Sequence, residues 1–230
     1  MISNDVLIIG DSFCVQRGTE KEWPFRLNNL LTGESVVPRG RGFPGCSWWA
    51  VRKQYIDNEK ENKPKLIIFC HTEASRIPHE KNLSLNFSTV MAHHVRDIDN
   101  PKDHIGIVAV TEAAKKYYEQ LYDPRYANWS VKRWFEELDD ILTKENIEKV
   151  IHLYSIPVEG GPGSEYDYDS VYKFKRGVTV LKPLIDYTED VTDTTLKNHL
   201  TEEDNIKLAD SLYEIINNYP GDGVSIKKIM

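Results

Sequence analysis

The stretch Val6-Leu7-Ile8-Ile9-Gly10-Asp11-Ser12 decides how the rest of the chain reads. A short, unbroken apolar run stopped by glycine predicts a strand covered on both faces, as in a parallel sheet. Leu66-Ile67-Ile68-Phe69, Lys149 to Tyr154 and Gly177 to Leu181 repeat the pattern, and Ser35-Val36-Val37 reads as a further short strand. Between them lie helical spacings. Trp23 to Leu31 has Pro24 near its start, and a second helix begins near Ser47 and runs through Tyr55. Thr111 to Asn146 is helical with a break at Asp123-Pro124, and its second half sets Trp134, Leu138, Ile141 and Leu142 on one face.

Thr201 to Tyr219 predicts a last helix, with Thr201 as N-cap and Ile206, Leu208, Ala209, Leu212, Ile215 and Ile216 as its buried stripe. Ile107 to Val110 reads equally as a strand or a helix start. The segment 71–105 reads as a helix through Val90 and His94 or as an insertion. No repeat, linker or low-complexity run divides the chain, so residues 1–230 are expected to form one domain. Strands alternating with helices predict an α/β fold, a parallel sheet joined by right-handed crossovers and covered on both sides.

Composition excludes several functions. The 230 residues carry 29 Lys plus Arg against 36 Asp plus Glu, a formal charge of −7, which argues against a grip on nucleic acid. No apolar run is long enough to span a membrane. The first residues lack the basic start and apolar stretch of a secretory signal, and Cys14, Cys46 and Cys70 make an odd count. Both features fit a reducing, cytoplasmic setting better than a disulfide framework.

In parallel sheets, ligands bind beyond the carboxyl ends of the strands. Ser12 stands at such an end, where its hydroxyl would project into a crevice beside backbone amides able to hold an oxyanion. A serine in that place is also an ordinary helix cap. It becomes a nucleophile only with a general base. His199, in Asn198-His199-Leu200-Thr201 just before the last helix, is placed to reach across toward the first strand.

These residues resemble the SGNH hydrolases, also called GDSL esterases and lipases. Val6 to Phe13 is similar to the family's first block, and Trp23-Pro24 with Leu27 to the helix after it. Val36-Val37 leading to Gly42-Phe43-Pro44-Gly45-Cys46-Ser47 resembles the second block. Asn198-His199-Leu200-Thr201 with Asn205, Leu208 and Ala209 resembles the last. The resemblance implies a three-layer α/β/α sandwich around a five-stranded parallel sheet, of flavodoxin-like build. It implies Ser12 as nucleophile, His199 as base, and the Ser12 and Gly45 amides as part of the oxyanion hole. The activity implied is ester hydrolysis through an acyl-enzyme, with neither metal nor cofactor, on a small-molecule or glycan ester.

Two positions depart from the family. Thr72 stands where the third block has the Asn that donates to the oxyanion, and a threonine hydroxyl is a shorter donor. Leu196 stands three residues before His199, where the family has Asp. That leaves a Ser-His dyad steadied by a backbone carbonyl, or Asp193 reaching in from the preceding loop. The departures also favour a second reading, a weak or inactive SGNH-like module that binds a glycan or protein.

Other residues carry plainer expectations. The cysteines, with Cys70-His71 and His93-His94, offer metal-ligand types but no chelating pair, so the cysteines are expected to be buried packing. Arg17, Arg39, Arg41 and Arg76 border the crevice and could clamp an anion, though loop arginines are usually solvated. Trp48 and Trp49 could stack on a sugar or pack the helix after Gly45; as neighbours on a helix they point in different directions, so at most one is expected to do each. Glu165 to Asp169 reads as an exposed acidic loop.

Overall fold

The computed structural model describes residues 6–15, 19–33, 35–40, 42–43, 45–59, 63–79, 85, 90–91, 104–156, 171–188 and 200–230. They form β1 (Val6–Gly10), α1 (Trp23–Thr32), α2 (Trp48–Glu59), β2 (Leu66–His71), α3 (His104–Gln120) and α4 (Pro124–Glu145). After these come β3 (Lys149–Tyr154), β4 (Val178–Val180), α5 (Glu202–Asn217) and β5 (Val224–Ile226).

The five strands make one parallel sheet in the order β1-β2-β3-β4-β5. Side chains of a strand alternate between faces, and the core divides accordingly. Leu7, Ile9, Ile67, Phe69, Val150 and Tyr154 meet α2 and α4 through Val51, Tyr55, Val131, Trp134, Phe135 and Leu138. Val6, Ile8, Leu66, Ile68, Ile151 and Leu153 meet α1 and α5 through Trp23, Leu27, Leu208, Leu212 and Ile216. Helices therefore cover both faces, a layering compatible with a three-layer α/β/α sandwich. Each large apolar side chain buried this way contributes roughly 1.5–3 kcal/mol, which is why β1 to β3 read as apolar runs.

Helix boundaries follow local chemistry. Gly33, at φ +72°, ends α1 with its N–H on Asn29 O at 2.8 Å. Asp123 caps α4 by accepting the Arg125 N–H, and Pro124 opens the helix, which ends at Asn146 in the left-handed region. At the start of α5, Thr201 Oγ1 accepts the Asp204 N–H at 3.2 Å and donates to Asp204 Oδ2 at 2.6 Å. Ile107 to Val110, open between strand and helix in the sequence, is part of α3.

Two expectations about strands are corrected. The segment 35–37 is not a strand; the chain bridges β1 slightly later, at Arg39 opposite Leu7 and Gly42 opposite Gly10. The cause is steric and backbone-driven. A Cβ on Gly42 would lie 2.4 Å from Asp11 O, and one on Gly40 2.2 Å from Ile8 O, so glycine is what permits this approach. The fifth strand of the sheet is Val224–Ile226, a segment the apolar pattern did not reveal. In the segment 71–105, Leu85 and Val90 pack with Ala114 and Tyr118 of α3 as a small third cluster.

Candidate active site

The bridging segment 39–42 lies on one side of β1 and β2 on the other. The chain thus leaves β1 in one direction and returns on the opposite side, which makes the end of β1 the switch point where a crevice opens. Ser12 stands there, in a single 3₁₀ turn, Ser12–Cys14, capped by Asp11. It is half-buried, and among the described residues its Oγ has no hydrogen-bond partner.

The second turn is pinned to the first through Gly10. Gly10 O accepts from Phe43 N at 3.0 Å, Gln54 Nε2 at 3.1 Å and Cys46 Sγ at 3.3 Å, while Gly10 N donates to Gln54 Oε1 at 3.1 Å. Cys46 N closes on Phe43 O at 3.1 Å, and Gly45 has φ +69°. The positive φ at Gly45 is one that glycine adopts without steric cost. Neither the Ser12 nor the Gly45 amide is engaged by a described residue. Thr72 follows the end of β2; its Oγ1 is buried and has no partner among the described residues.

Beneath these turns runs a buried polar network that sequence reasoning missed. Asp11 Oδ1 accepts from Ser155 Oγ at 2.6 Å and Phe13 N at 3.1 Å, and Asp11 Oδ2 faces Arg76 Nη1 at 3.4 Å. Burial pushes the Asp11 carboxyl above its ordinary range, against the opposing pull of the Arg76 guanidinium and the Ser155 and Phe13 donors. Arg76 Nε donates to Glu73 Oε1 at 2.9 Å, and Ser75 Oγ donates to Glu73 Oε2 at 2.9 Å. Arg76 is therefore no crevice cation awaiting an anion: its charge is met inside the protein. Asp11 stood beside Ser12 in the motif, but nothing in the sequence pairs it with a residue so distant along the chain.

The cysteines are all buried and free, as packing residues should be. Cys14 Sγ donates to Asp11 O at 3.4 Å, and Cys70 Sγ lies 3.0 Å from Ser155 Oγ. No group of three or more metal-ligand side chains gathers among the described residues. Trp48 packs against the core, whereas Trp49 is 48% exposed with the Arg52 guanidinium 5.1 Å from its ring. A cavity of about 380 Å³ lies along α2, lined by Gly40, Phe43, Ala50, Lys53, Gln54, Asp57 and Asn58. It shares Gln54 and Phe43 with the support of Gly10, but not Ser12, Gly45 or Thr72.

His199 lies outside the described residues, as do Asp193, Leu196, Arg17, Arg41, His93, His94 and the segment 165–169. Its chain neighbour Leu200 is described, and hydrogen bonds lead from there back to the Ser12 turn. Asn205 Nδ2 donates to Leu200 O at 3.2 Å, Trp23 N to Asn205 Oδ1 at 3.1 Å, and Trp23 Nε1 to Phe13 O at 2.6 Å. The main chain next to His199 is thus tied, through two side chains, to the residue next to Ser12. Comparison of the chain with protein-family models, with curated proteins and with solved structures finds no match.

Proposed function

We propose that this protein is a serine esterase of the SGNH type, hydrolysing an acyl ester, with acyl or acetyl groups on a carbohydrate as its substrate class. One observation carries the reading. Ser12 stands at the switch point, and among the described residues nothing engages its hydroxyl, its amide or that of Gly45, on turns held together through Gly10. The order of the bridging segment, β1, β2, β3 and β4 is that of the flavodoxin-like class, which supports the SGNH type. Half-exposed Trp49, just beyond the Gly45 turn, supports a sugar on the leaving side.

The mechanism has two halves. His199 takes the Ser12 proton as Oγ attacks the ester carbonyl carbon, and the carbonyl oxygen becomes an oxyanion held by the Ser12 and Gly45 amides. Thr72 Oγ1 donates a third hydrogen bond to it. The intermediate collapses, the C–O bond to the alcohol breaks, and His199 returns the proton to the leaving alkoxide. Water, deprotonated by His199, then attacks the acyl-enzyme; the acyl–Oγ bond breaks, His199 returns the proton to Ser12 Oγ, and the acid leaves. With Leu196 at the position of the orienting acid, His199 works in a dyad, a backbone carbonyl holding its far ring nitrogen. Ser12→Ala, with an unchanged circular-dichroism spectrum, is expected to abolish turnover of 4-nitrophenyl acetate. Hydrolysis at the original rate in that variant rejects the mechanism.

A further inference from the structure

Three separate loops meet at one side chain. Arg76, 5% exposed, reaches Asp11 in the turn after β1, Cys46 beside Gly45, and Glu73 in the turn after β2. Its Nη1 donates to the Cys46 carbonyl at 3.2 Å and stands 3.4 Å from Asp11 Oδ2, while Nε donates to Glu73 Oε1 at 2.9 Å. One planar guanidinium therefore bonds acceptors on two loops and pairs by charge with a carboxylate on a third, which a lysine ammonium on a flexible stem does poorly. The carboxylate it faces is itself fixed on its other oxygen by Ser155 and the Phe13 amide. Glu73, bonded also by Ser75, anchors the guanidinium from the far side.

We propose that Arg76 is a positioning residue for catalysis: by clamping the Cys46 carbonyl and the Asp11 carboxylate together, it aims the Gly45 and Ser12 amides at one point. The inference rests on the hydrolase reading, because an aimed pair of amides matters only if an oxyanion forms between them. The charge itself is not the catalytic agent. Two carboxylates face the guanidinium, so what it supplies is geometry, and a misplacement of about 1 Å in such a donor costs on the order of a hundredfold in rate.

The test uses the full chain as wild type, Arg76→Lys and Arg76→Gln, with 4-nitrophenyl acetate kinetics, fluorophosphonate labelling of Ser12 and amide hydrogen exchange. In Arg76→Lys, kcat and the labelling rate are expected to fall about 10- to 100-fold with KM within about twofold. Arg76→Gln should fall further, so that lysine is a partial rescue. Exchange at Cys46, whose N–H closes on Phe43 O, should quicken while Val150 to Leu153 in β3 keep wild-type protection. Wild-type kcat and exchange in Arg76→Lys overturn the proposal, and so does exchange that quickens equally throughout β3, the mark of a purely structural role. Should the single variants fail to fold, Asp11→Asn with Arg76→Gln removes both charges; low kcat in that folded protein supports the clamp and wild-type kcat overturns it. A folded wild type that never labels at Ser12 refutes the hydrolase reading and the positioning role with it, whereas the Arg76 comparisons against a labelling wild type refute the positioning role alone.

Discussion

Asn205 Oδ1 accepts the backbone N–H of Trp23 at 3.1 Å, joining the start of α5 to the start of α1. The same Asn205 donates to the carbonyls of Leu200 and Thr201, and the same Trp23 donates its indole N–H to Phe13. Two residues distant in sequence thus link the carbonyls of Leu200 and Phe13. Asn205→Ala removes three bonds from this part-buried joint. We expect a stability loss of about 1–3 kcal/mol in urea titration and a fall in ester turnover that exceeds any change in folded fraction at the assay temperature. Wild-type turnover in this variant would show that the joint does not set the catalytic geometry.

Thr72 separates rate from stability. Its hydroxyl is buried with no partner among the described residues, so the folded protein already bears the cost of desolvating it. Thr72→Val keeps the shape and removes the hydroxyl. The midpoint of urea unfolding should stay the same or rise, while kcat on a short-chain ester drops about 100- to 1,000-fold, the usual effect of losing one oxyanion donor. An unchanged kcat would exclude Thr72 from the oxyanion hole.

Gly42 tests the contact between the two turns. An added Cβ would stand 2.4 Å from Asp11 O, 2.5 Å from Cys14 C and 2.6 Å from Val15 N, all backbone atoms that cannot rotate away. Gly42→Ala should destabilise the protein by about 1–3 kcal/mol, as overpacking does, and should slow Ser12 labelling even at temperatures where the variant is folded. Thermal melts and labelling rates measured together check both halves.

A buried histidine pair sets the response to acid. His71 Nε2 lies 3.0 Å from His152 Nδ1, and His152 Nε2 lies 3.0 Å from Arg176 O, among the stacked rings of Phe69 and Phe174. A carbonyl only accepts, so His152 donates from Nε2 and accepts from His71 Nε2–H, and both rings are neutral. Burial lowers His152 to about 3 and holds His71 well below the usual histidine range, with the neighbouring His152 adding to the effect. Both pKa values are depressed in the folded state, so as pH falls below about 6.5 the unfolded chain takes up protons that the folded one refuses, and stability is lost. The loss should grow as the pH is lowered from 7 to 5.5. Asp11, raised in the folded state, acts in the opposite direction as it titrates. His71→Phe should roughly halve the slope of unfolding free energy against pH; an unaltered slope contradicts the neutral pair.

How much of this was legible in the sequence depended on what held each part in place. β1, β2 and β3 are buried on both faces, so their apolar runs announced them. Val224–Ile226 pairs with β4 through its backbone at the sheet edge, half exposed and only three residues long, and needs no apolar pattern to do so. Val36-Val37 misled for the opposite reason: Val37 is apolar but 41% exposed, and the contact with β1 is made by Arg39 and two glycines chosen for their lack of a side chain. Ser12 was singled out by its place directly after β1, and Gly45 and Thr72 by the resemblance of their segments to family blocks. The Asp11–Arg76–Glu73 network could not be named, since its members converge only once β1 and β2 lie side by side.

The central claim is that Ser12 is an activated nucleophile. Intact-mass analysis after fluorophosphonate treatment, with peptide mapping, measures this most directly. The account predicts a single adduct on Ser12 in the wild type, and none on that peptide in Ser12→Ala or His199→Ala. A folded wild type that gains no adduct, or gains it on another residue, would contradict it and leave the crevice as a binding surface.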